Sequence, residues 1–151
     1  MRHSFPTRRS SDLAGRGAIL NVGSLASFAP LSLPAYTPGK HAVLALTGIL
    51  AAELGPRGVR VNAVAPGYTL SDGLEAKIAS GERDPEAIKE ATALRRFVEP
   101  RDVAEAALFL CSERAASITG VTLPVDAGWL VQAPHAHYLR GNPIRPPPGP
   151  S

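Results

Sequence analysis

The amino-acid sequence predicts an α/β fold with about three parallel strands in one sheet and helices covering that sheet. Short apolar runs at residues 18–22, 59–65 and 121–125 are typical of strands. Between them, residues 36–54 and the segment from about residue 100 onward have the apolar periodicity of helices. Strands that alternate with helices form parallel sheets, because each helix returns the chain to the same end of the sheet. The length of 151 residues allows about one such domain.

The first strand is predicted at residues 18–22, where four apolar side chains surround Asn21. A nearly continuous apolar run indicates a strand that is buried on both faces. Gly23 marks the point at which the chain leaves the sheet. A loop rich in proline, serine and alanine then leads to the first helix.

That helix is predicted at residues 36–54, and Gly55 followed by Pro56 is expected to end it. One apolar stripe along the helix consists of Val43, Leu46, Leu50 and Leu54. A second stripe, mostly of small residues, consists of Ala42, Ala45, Ile49 and Ala52. A helix with two apolar faces needs two partners. We expect the sheet to cover one face, and either another subunit or another part of this chain to cover the other.

The second half of the folded region continues the alternation. The strand at residues 59–65 ends at Pro66 and Gly67. Residues 74–93 are polar and are interrupted by a glycine and a proline, which predicts short mobile helices.

A further helix is predicted to start near Pro100, because a proline favours the first helical position. Its apolar face consists of Val103, Ala106, Ala107 and Leu110. In the last strand, at residues 121–125, Pro124 lacks an amide hydrogen and therefore predicts a sheet edge or a strand terminus.

Both ends of the chain differ from the middle in composition. Residues 1–16 lack helical or strand periodicity, and we expect a disordered basic arm or an artefact that resembles translated sequencing adapter. Residues 132–151 are rich in proline and are expected to form a disordered tail. His135 and His137 lie in that tail, where two histidines alone do not complete a metal coordination sphere. The folded region is therefore predicted at residues 17–131.

The charge distribution argues against a nucleic-acid partner. The chain has a net charge of +3, but six of its 16 basic and one of its 13 acidic residues lie in the two ends. The middle therefore has 10 basic against 12 acidic side chains and no basic stripe. The single cysteine, Cys111, cannot close an intrachain disulfide, and no segment is typical of a signal peptide or membrane span. We expect a cytoplasmic protein that does not bind nucleic acid or membranes.

Tyr36 and Lys40 are the main candidates for chemistry. Their spacing of four residues puts both side chains on one face of the predicted helix, within one turn of each other. An ammonium beside a phenol favours the phenolate, which lets the hydroxyl exchange a proton near neutral pH. A serine hydroxyl such as that of Ser24 could hold a substrate oxygen on which charge develops. Together these groups suit the interconversion of carbonyls and alcohols.

Five motifs, in this order and spacing, resemble the short-chain dehydrogenase/reductase family over residues 17 to about 131. They are GAILNVGS at 17–24, AYTPGKHAV at 35–43, AEL at 52–54, RVNAVAPG at 60–67, and the segment from TG at 119–120 to DAG at 126–128. The resemblance implies the C-terminal half of a Rossmann-like, doubly wound parallel sheet. It also implies hydride transfer between NAD or NADP and a small carbonyl or alcohol substrate, in a homo-oligomer assembled through the helix at 36–54.

The resemblance implies a role for each matching residue. Ser24 would hydrogen-bond the substrate oxygen, Tyr36 would be the general acid and base, and Lys40 would activate Tyr36 and bind the nicotinamide ribose. Pro66 and Gly67 match the loop that approaches the nicotinamide. Thr69 sits where the backbone meets the carboxamide, and Ser71 replaces the usual threonine nearby.

The chain also departs from the family pattern. Pro38 and Gly39 replace small helix-compatible residues between Tyr36 and Lys40, and glycine is about 1 kcal/mol less favourable than alanine in a helix. Upstream of Gly17 there is no Gly-rich turn between a strand and a helix, no acid for the adenosine ribose, and no counterpart of the family's catalytic asparagine. We therefore expect a fragment that is inactive as written, with an exposed apolar sheet edge and poor solubility. The alternative is a non-catalytic module that retains the fold for binding or oligomerisation.

Overall fold

The computed structural model describes residues 16–31 and 33–132. Three parallel strands form one sheet, in the order β1 (Gly17–Val22), β2 (Val59–Pro66) and β3 (Thr122–Val125). The predicted α/β fold with three parallel strands is confirmed. The expectations for the basic arm and the proline-rich tail, including both tail histidines, fall almost entirely outside the described residues.

β2 is the central strand and forms the core. Its first residue pairs with Gly17 of β1, and its last residue, Pro66, pairs with Val125 of β3. Five successive residues, from Val61 to Ala65, are buried. Pro124 lies in β3, on an edge of the described sheet, where its missing amide hydrogen costs no ladder bond.

β1 is less buried than the sequence suggests. Residues 17–21 are half-buried, and 56% of Val22 is exposed, so the prediction of a strand buried on both faces is wrong for the described chain. In the described sheet β1 pairs with β2 only. Within the described residues, its other edge therefore has no neighbouring strand.

Among the described residues, four complete α-helices accompany the sheet, and a further helix begins at Trp129. The four complete helices are α1 (Tyr36–Leu54), α2 (Asp72–Ala79), α3 (Pro85–Glu90) and α4 (Pro100–Cys111). Three short 3₁₀ turns lie at Leu25–Ser27, Gly55–Arg57 and Glu113–Ala115. The bounds of α1 are those predicted, and α2 and α3 are the short helices expected in the polar segment. Within the described ranges, no helix has both the length and the apolar content that crossing a membrane requires.

α1 packs on the sheet with one face only. Ala51 and Leu54 of this face join Val59 and Val61 of β2 in the apolar core, and Leu50 packs against that core. The second stripe, Ala42, Ala45, Ile49 and Ala52, is exposed, as is Leu46 of the first stripe. The partner of this exposed face stays a prediction.

The end of α1 differs in detail from the prediction. Gly55 keeps a right-handed helical conformation, and the chain continues through a 3₁₀ turn that contains Pro56. The left-handed residue is Gly58, whose φ of 73° is accessible to glycine at little cost. Pro56 fits the start of the 3₁₀ turn, because the first residues of a helical turn have no intrahelical partner for an amide hydrogen.

Arg60 of β2 holds the end of α4. Its guanidinium donates hydrogen bonds to the carbonyls of Leu110 at 2.7 Å and Ser112 at 3.0 Å. The last carbonyls of a helix lack intrahelical donors, and a cation there is also favoured by the helix dipole. Arg60 therefore joins the central strand to the helix that covers it.

Asn62, two residues further along β2, holds the connection into β3. Only 1% of its surface is exposed. Its Nδ2 donates to the Ile118 carbonyl at 2.9 Å, and its Oδ1 accepts from the Val121 amide at 3.2 Å. Both ends of the amide side chain are thus used to fix one loop.

Candidate active site

The predicted site residues lie at the carboxyl-terminal ends of the parallel strands, on one side of the sheet. Val22 of β1 pairs with Val64 of β2, and the Gly23 amide donates to the Val64 carbonyl at 2.7 Å. Parallel strands end at the same side of a sheet, which is where α/β folds bind ligands. The loop that starts with Gly23 therefore lies beside the loop that starts with Gly67.

Ser24 caps the 3₁₀ turn that follows β1. Its Oγ accepts a hydrogen bond from the Ala26 amide at 3.2 Å. In return, the Ser24 amide donates to Ser27 Oγ at 3.2 Å, which gives the reciprocal pattern of a capping box. Ser24 is half-buried, whereas Ser27 is buried.

Tyr36 and Lys40 occupy the first turns of α1. The Lys40 ammonium nitrogen lies 5.4 Å from the centroid of the Tyr36 ring and donates to the Val22 carbonyl at 2.9 Å. Tyr36 is 46% exposed, so its phenol is open to a ligand. The helix runs through Pro38 and Gly39 without interruption, because both lie near its start, where proline is tolerated.

A hydrogen bond joins the serine turn to the lysine. Ser27 Oγ donates to the Lys40 carbonyl at 2.8 Å. Since Ser27 Oγ also accepts from the Ser24 amide, one buried hydroxyl links the backbone of Ser24 to that of Lys40. The structure thus brings the Ser24 turn, Tyr36 and Lys40 into one corner at the end of β1.

The loop after β2 carries the other predicted site residues. The Gly67 amide donates to the Val125 carbonyl at 2.9 Å. A methyl group added at Gly67 would lie 2.7 Å from the Cα of Asp126, too close for any side chain. Glycine is required here because the backbone after β2 passes directly against the backbone after β3.

The backbone of Thr69 is oriented by its bridge to Val98. The amide of Leu70 donates to the Val98 carbonyl at 2.8 Å, and the amide of Val98 donates to the Tyr68 carbonyl at 3.0 Å. In this parallel pattern the amide and carbonyl of Thr69 itself point away from Val98. Among the described residues they have no hydrogen-bond partner. A ligand amide could therefore bond to both.

Ser71 precedes the first residue of α2. It has an extended conformation, and its side chain makes no capping bond to the helix. The hydroxyl and the amides of Asp72 and Gly73 are therefore left for other partners, which is the position where the resemblance puts a cofactor contact. In the part of the chain that the structure describes, no three metal-ligating side chains come together.

Comparison with known proteins identifies the family. A family model described as enoyl-(acyl carrier protein) reductase matches residues 7–130. The A-factor type gamma-butyrolactone 1'-reductase of Streptomyces virginiae is 44% identical over 117 residues, covering 76% of this chain and 45% of that protein. The chain belongs to the short-chain dehydrogenase/reductase family.

Two solved structures agree with this assignment. A short-chain dehydrogenase/reductase from Burkholderia thailandensis superposes with a TM-score of 0.80 at 38% identity, over 89% of this chain and 54% of that one. ElxO with NADP bound superposes with a TM-score of 0.77 at 32% identity, over 82% and 50% respectively. The Rossmann-like architecture predicted from the motifs is confirmed. The chain spans about half the length of the short-chain dehydrogenases/reductases that it matches.

Asp126 supports the loop after β2, a role that the motif at 126–128 was not assigned from the sequence. Asp126 is only 8% exposed, and its two carboxylate oxygens accept from the amides of Gly128 and Leu130, each at 2.9 Å. These bonds fix the turn against which Gly67 packs. An acid followed two residues later by glycine at the end of a strand is a local signal for such a turn.

An open cleft lies beside the polar segment of residues 74–93. It has a volume of about 240 Å³ and lies between α3 and the Tyr68 and Trp129 rings, whose centroids are 6.5 Å apart. Arg83 and Asp84 form its polar rim.

Proposed function

We propose that this chain supplies the substrate-binding and proton-transfer half of an oxidoreductase that interconverts an alcohol and a carbonyl compound with NAD or NADP. The main observation is that the Lys40 ammonium lies 5.4 Å from the Tyr36 ring while it is anchored to the end of β1. Its family relatives are named as dehydrogenases and reductases, including enzymes for γ-butyrolactones and for galactitol. The substrate of this chain is accordingly a small carbonyl or alcohol compound.

Tyr36 is the proton carrier in this proposal. In the oxidation direction the alcohol proton passes to the Tyr36 oxygen while the carbinol carbon loses a hydride. In the reduction direction Tyr36 returns that proton to the carbonyl oxygen. The ammonium of Lys40 puts a positive charge beside the ring whose hydroxyl exchanges the proton.

Ser24 holds the substrate oxygen. Its Oγ already accepts a hydrogen bond from the Ala26 amide, which orients the oxygen within the turn. A hydroxyl also has one hydrogen to donate. The substrate oxygen is the natural acceptor for it, and this bond strengthens as negative charge develops in the transition state.

The loop after β2 binds the nicotinamide end of the cofactor. The amide and carbonyl of Thr69 point away from Val98 and match the acceptor and donor of a carboxamide. Gly67 lets the loop pass close to Asp126, Pro66 precedes it, and Ser71 lies at the start of α2. Lys40 would also reach a ribose hydroxyl. When bound, the nicotinamide accepts or donates the hydride.

Two further parts of the proposal concern assembly and completeness. The exposed stripe of α1, which includes Ile49 at 62% exposure, would pack against a second copy in a homo-oligomer. The chain as written is expected to lack turnover, because the matching segment omits the Gly-rich turn that holds the cofactor pyrophosphate.

A hybrid enzyme tests the catalytic proposal. The amino-terminal half of the Streptomyces virginiae reductase, joined to residues 17–132, would restore a full-length sheet. We expect carbonyl reduction with NADH or NADPH that is lost in Tyr36→Phe, Lys40→Met and Ser24→Ala. Ser112→Ala is the matched control for Ser24→Ala, because it removes a serine hydroxyl just after the end of α4. A folded hybrid in which the Tyr36→Phe variant retains the full rate would contradict the proposal.

The complete 151-residue chain tests the proposed inactivity. Titration with NADH and NADPH, followed by nicotinamide fluorescence, should give no saturable signal at micromolar concentration. Saturable binding without turnover in the hybrid would instead favour a non-catalytic binding module.

A further inference from the structure

We propose that Ser27 is a positioning residue that sets the location of the Lys40 ammonium relative to Ser24. This inference rests on the proposed function of Lys40 and Ser24. It concerns a residue that touches neither substrate nor cofactor and acts only through its two neighbours. The supporting observations are the burial of Ser27 and its two hydrogen bonds.

The Ser27 hydroxyl is fully used inside the chain. Only 2% of Ser27 is exposed. Its Oγ accepts from the Ser24 amide at 3.2 Å and donates to the Lys40 carbonyl at 2.8 Å. A methyl group added at Gly23 would lie 3.0 Å from this oxygen, so the backbone confines the hydroxyl from the side of β1. The hydroxyl therefore has one defined position.

Lys40 is held at both of its ends. Its carbonyl accepts from Ser27, and its ammonium donates to the Val22 carbonyl at 2.9 Å. Both anchors belong to the segment that leaves β1, so this segment fixes where α1 starts. If the Ser27 bond is lost, the first turns of α1 can shift away from Val22, and the ammonium moves with them.

A second hydroxyl of the same helix provides a matched control. Thr47 is buried, its Oγ1 donates to the Val43 carbonyl at 2.7 Å, and it accepts from Asn21 Nδ2 at 3.0 Å. Thr47 thus also ties α1 to β1 through a buried hydroxyl. It lies almost two turns beyond Lys40, however, and contacts none of the proposed catalytic residues.

Competitive amine labelling of the complete chain tests the positioning directly. The chain has three lysines, Lys40, Lys77 and Lys89, so mass spectrometry can follow each one. In Ser27→Ala we expect labelling of Lys40, relative to the other two, to rise about threefold, as expected for the loss of one hydrogen bond. In Thr47→Val the ratio should stay unchanged. An equal ratio in all three proteins would overturn the proposal, even if Ser27→Ala lowers stability.

The hybrid enzyme tests whether this positioning serves catalysis. Ser27→Ala should lower kcat about tenfold and leave the KM for the carbonyl substrate nearly unchanged, because a group that stabilises the transition state is displaced. Thr47→Val should keep the kcat of the folded enzyme. A wild-type kcat in Ser27→Ala would overturn the catalytic part of the inference. If Tyr36→Phe also retains its rate, the proposed function itself fails, and the labelling ratio still decides whether Ser27 positions Lys40.

Discussion

Two groups of polar residues on the same sheet differ in how they use their hydrogen bonds. On the β3 side, Arg60 and Asn62 donate to backbone carbonyls of α4 and of the following loop, and Asn62 is buried. On the β1 side, Tyr36 is 46% exposed, and the described residues offer no acceptor to the Ser24 hydroxyl hydrogen. The first group holds the fold together, and the second is open to a ligand.

The difference provides a physical criterion for separating structural from functional polar residues. A buried polar group whose partners all lie within the chain stabilises the folded state, because losing one partner leaves the other unsatisfied. A polar group that is oriented by one bond and keeps another free can bind substrate without first breaking a contact. By this criterion Ser27 belongs with Asn62, although it lies three residues from Ser24.

The largest expected effect is on the rate of the hybrid enzyme. Tyr36→Phe should lower kcat by about 10²- to 10⁴-fold, the usual contribution of a general acid or base. Its free energy of unfolding should change by less than about 0.5 kcal/mol, because an exposed hydroxyl is removed. Steady-state kinetics and urea unfolding give the two numbers. A loss of stability without a loss of rate would move Tyr36 into the structural group.

The opposite result is expected for Asn62. Asn62→Ala removes a buried side chain and takes away the hydrogen-bond partner of the Val121 amide and one donor to the Ile118 carbonyl, which should lower the free energy of unfolding by about 1–3 kcal/mol. Urea unfolding of the complete chain measures this loss. In the hybrid, the kcat of the folded fraction should remain. A variant as stable as wild type would show that water replaces both bonds.

Gly67 shares features of both groups, because it belongs to the proposed cofactor loop and also packs on the turn of Asp126. Gly67→Ala should lower the free energy of unfolding by about 1–3 kcal/mol, since the added methyl overlaps the Asp126 backbone. Gly73→Ala is the control, because a methyl group there meets nothing within 4 Å. Equal unfolding midpoints for the two variants would be incompatible with the close approach.

The smallest effect is expected at the start of α4. The Arg96 guanidinium, 2.7 Å from Asp102, and the Glu99 amide hold the pKa of the Asp102 carboxyl below its ordinary value of 3.8. A lowered pKa means that this contact stabilises the fold above the unfolded-state pKa and is lost as the pH falls through the folded-state pKa.

Urea midpoints of wild type and Asp102→Asn should therefore differ slightly at about pH 6 and converge at about pH 2. The difference should shrink in high salt, because the pair is exposed. A difference that grows on acidification would have the wrong sign and would contradict the lowered pKa.

Much of the fold was predictable because its signals are local. The apolar periodicity of residues 36–54, followed by glycine and proline, gave the bounds of α1. The position of Pro124 on a sheet edge followed from its missing amide hydrogen. The burial of β1 was not predictable in the same way, because it depends on which neighbours the strand has. The left-handed residue is Gly58 and not Gly55, because the helical conformation continues through Gly55 into the 3₁₀ turn.

The sequence alone determined that Tyr36 and Lys40 share a helix face, because a spacing of four residues fixes this geometry wherever a helix forms. Only the tertiary structure decided that Lys40 reaches the end of β1 and that Ser27 bonds to its backbone. Those bonds join residues 18 and 13 positions apart. No local pattern encodes such pairs, because the packing of α1 on the sheet brings them together.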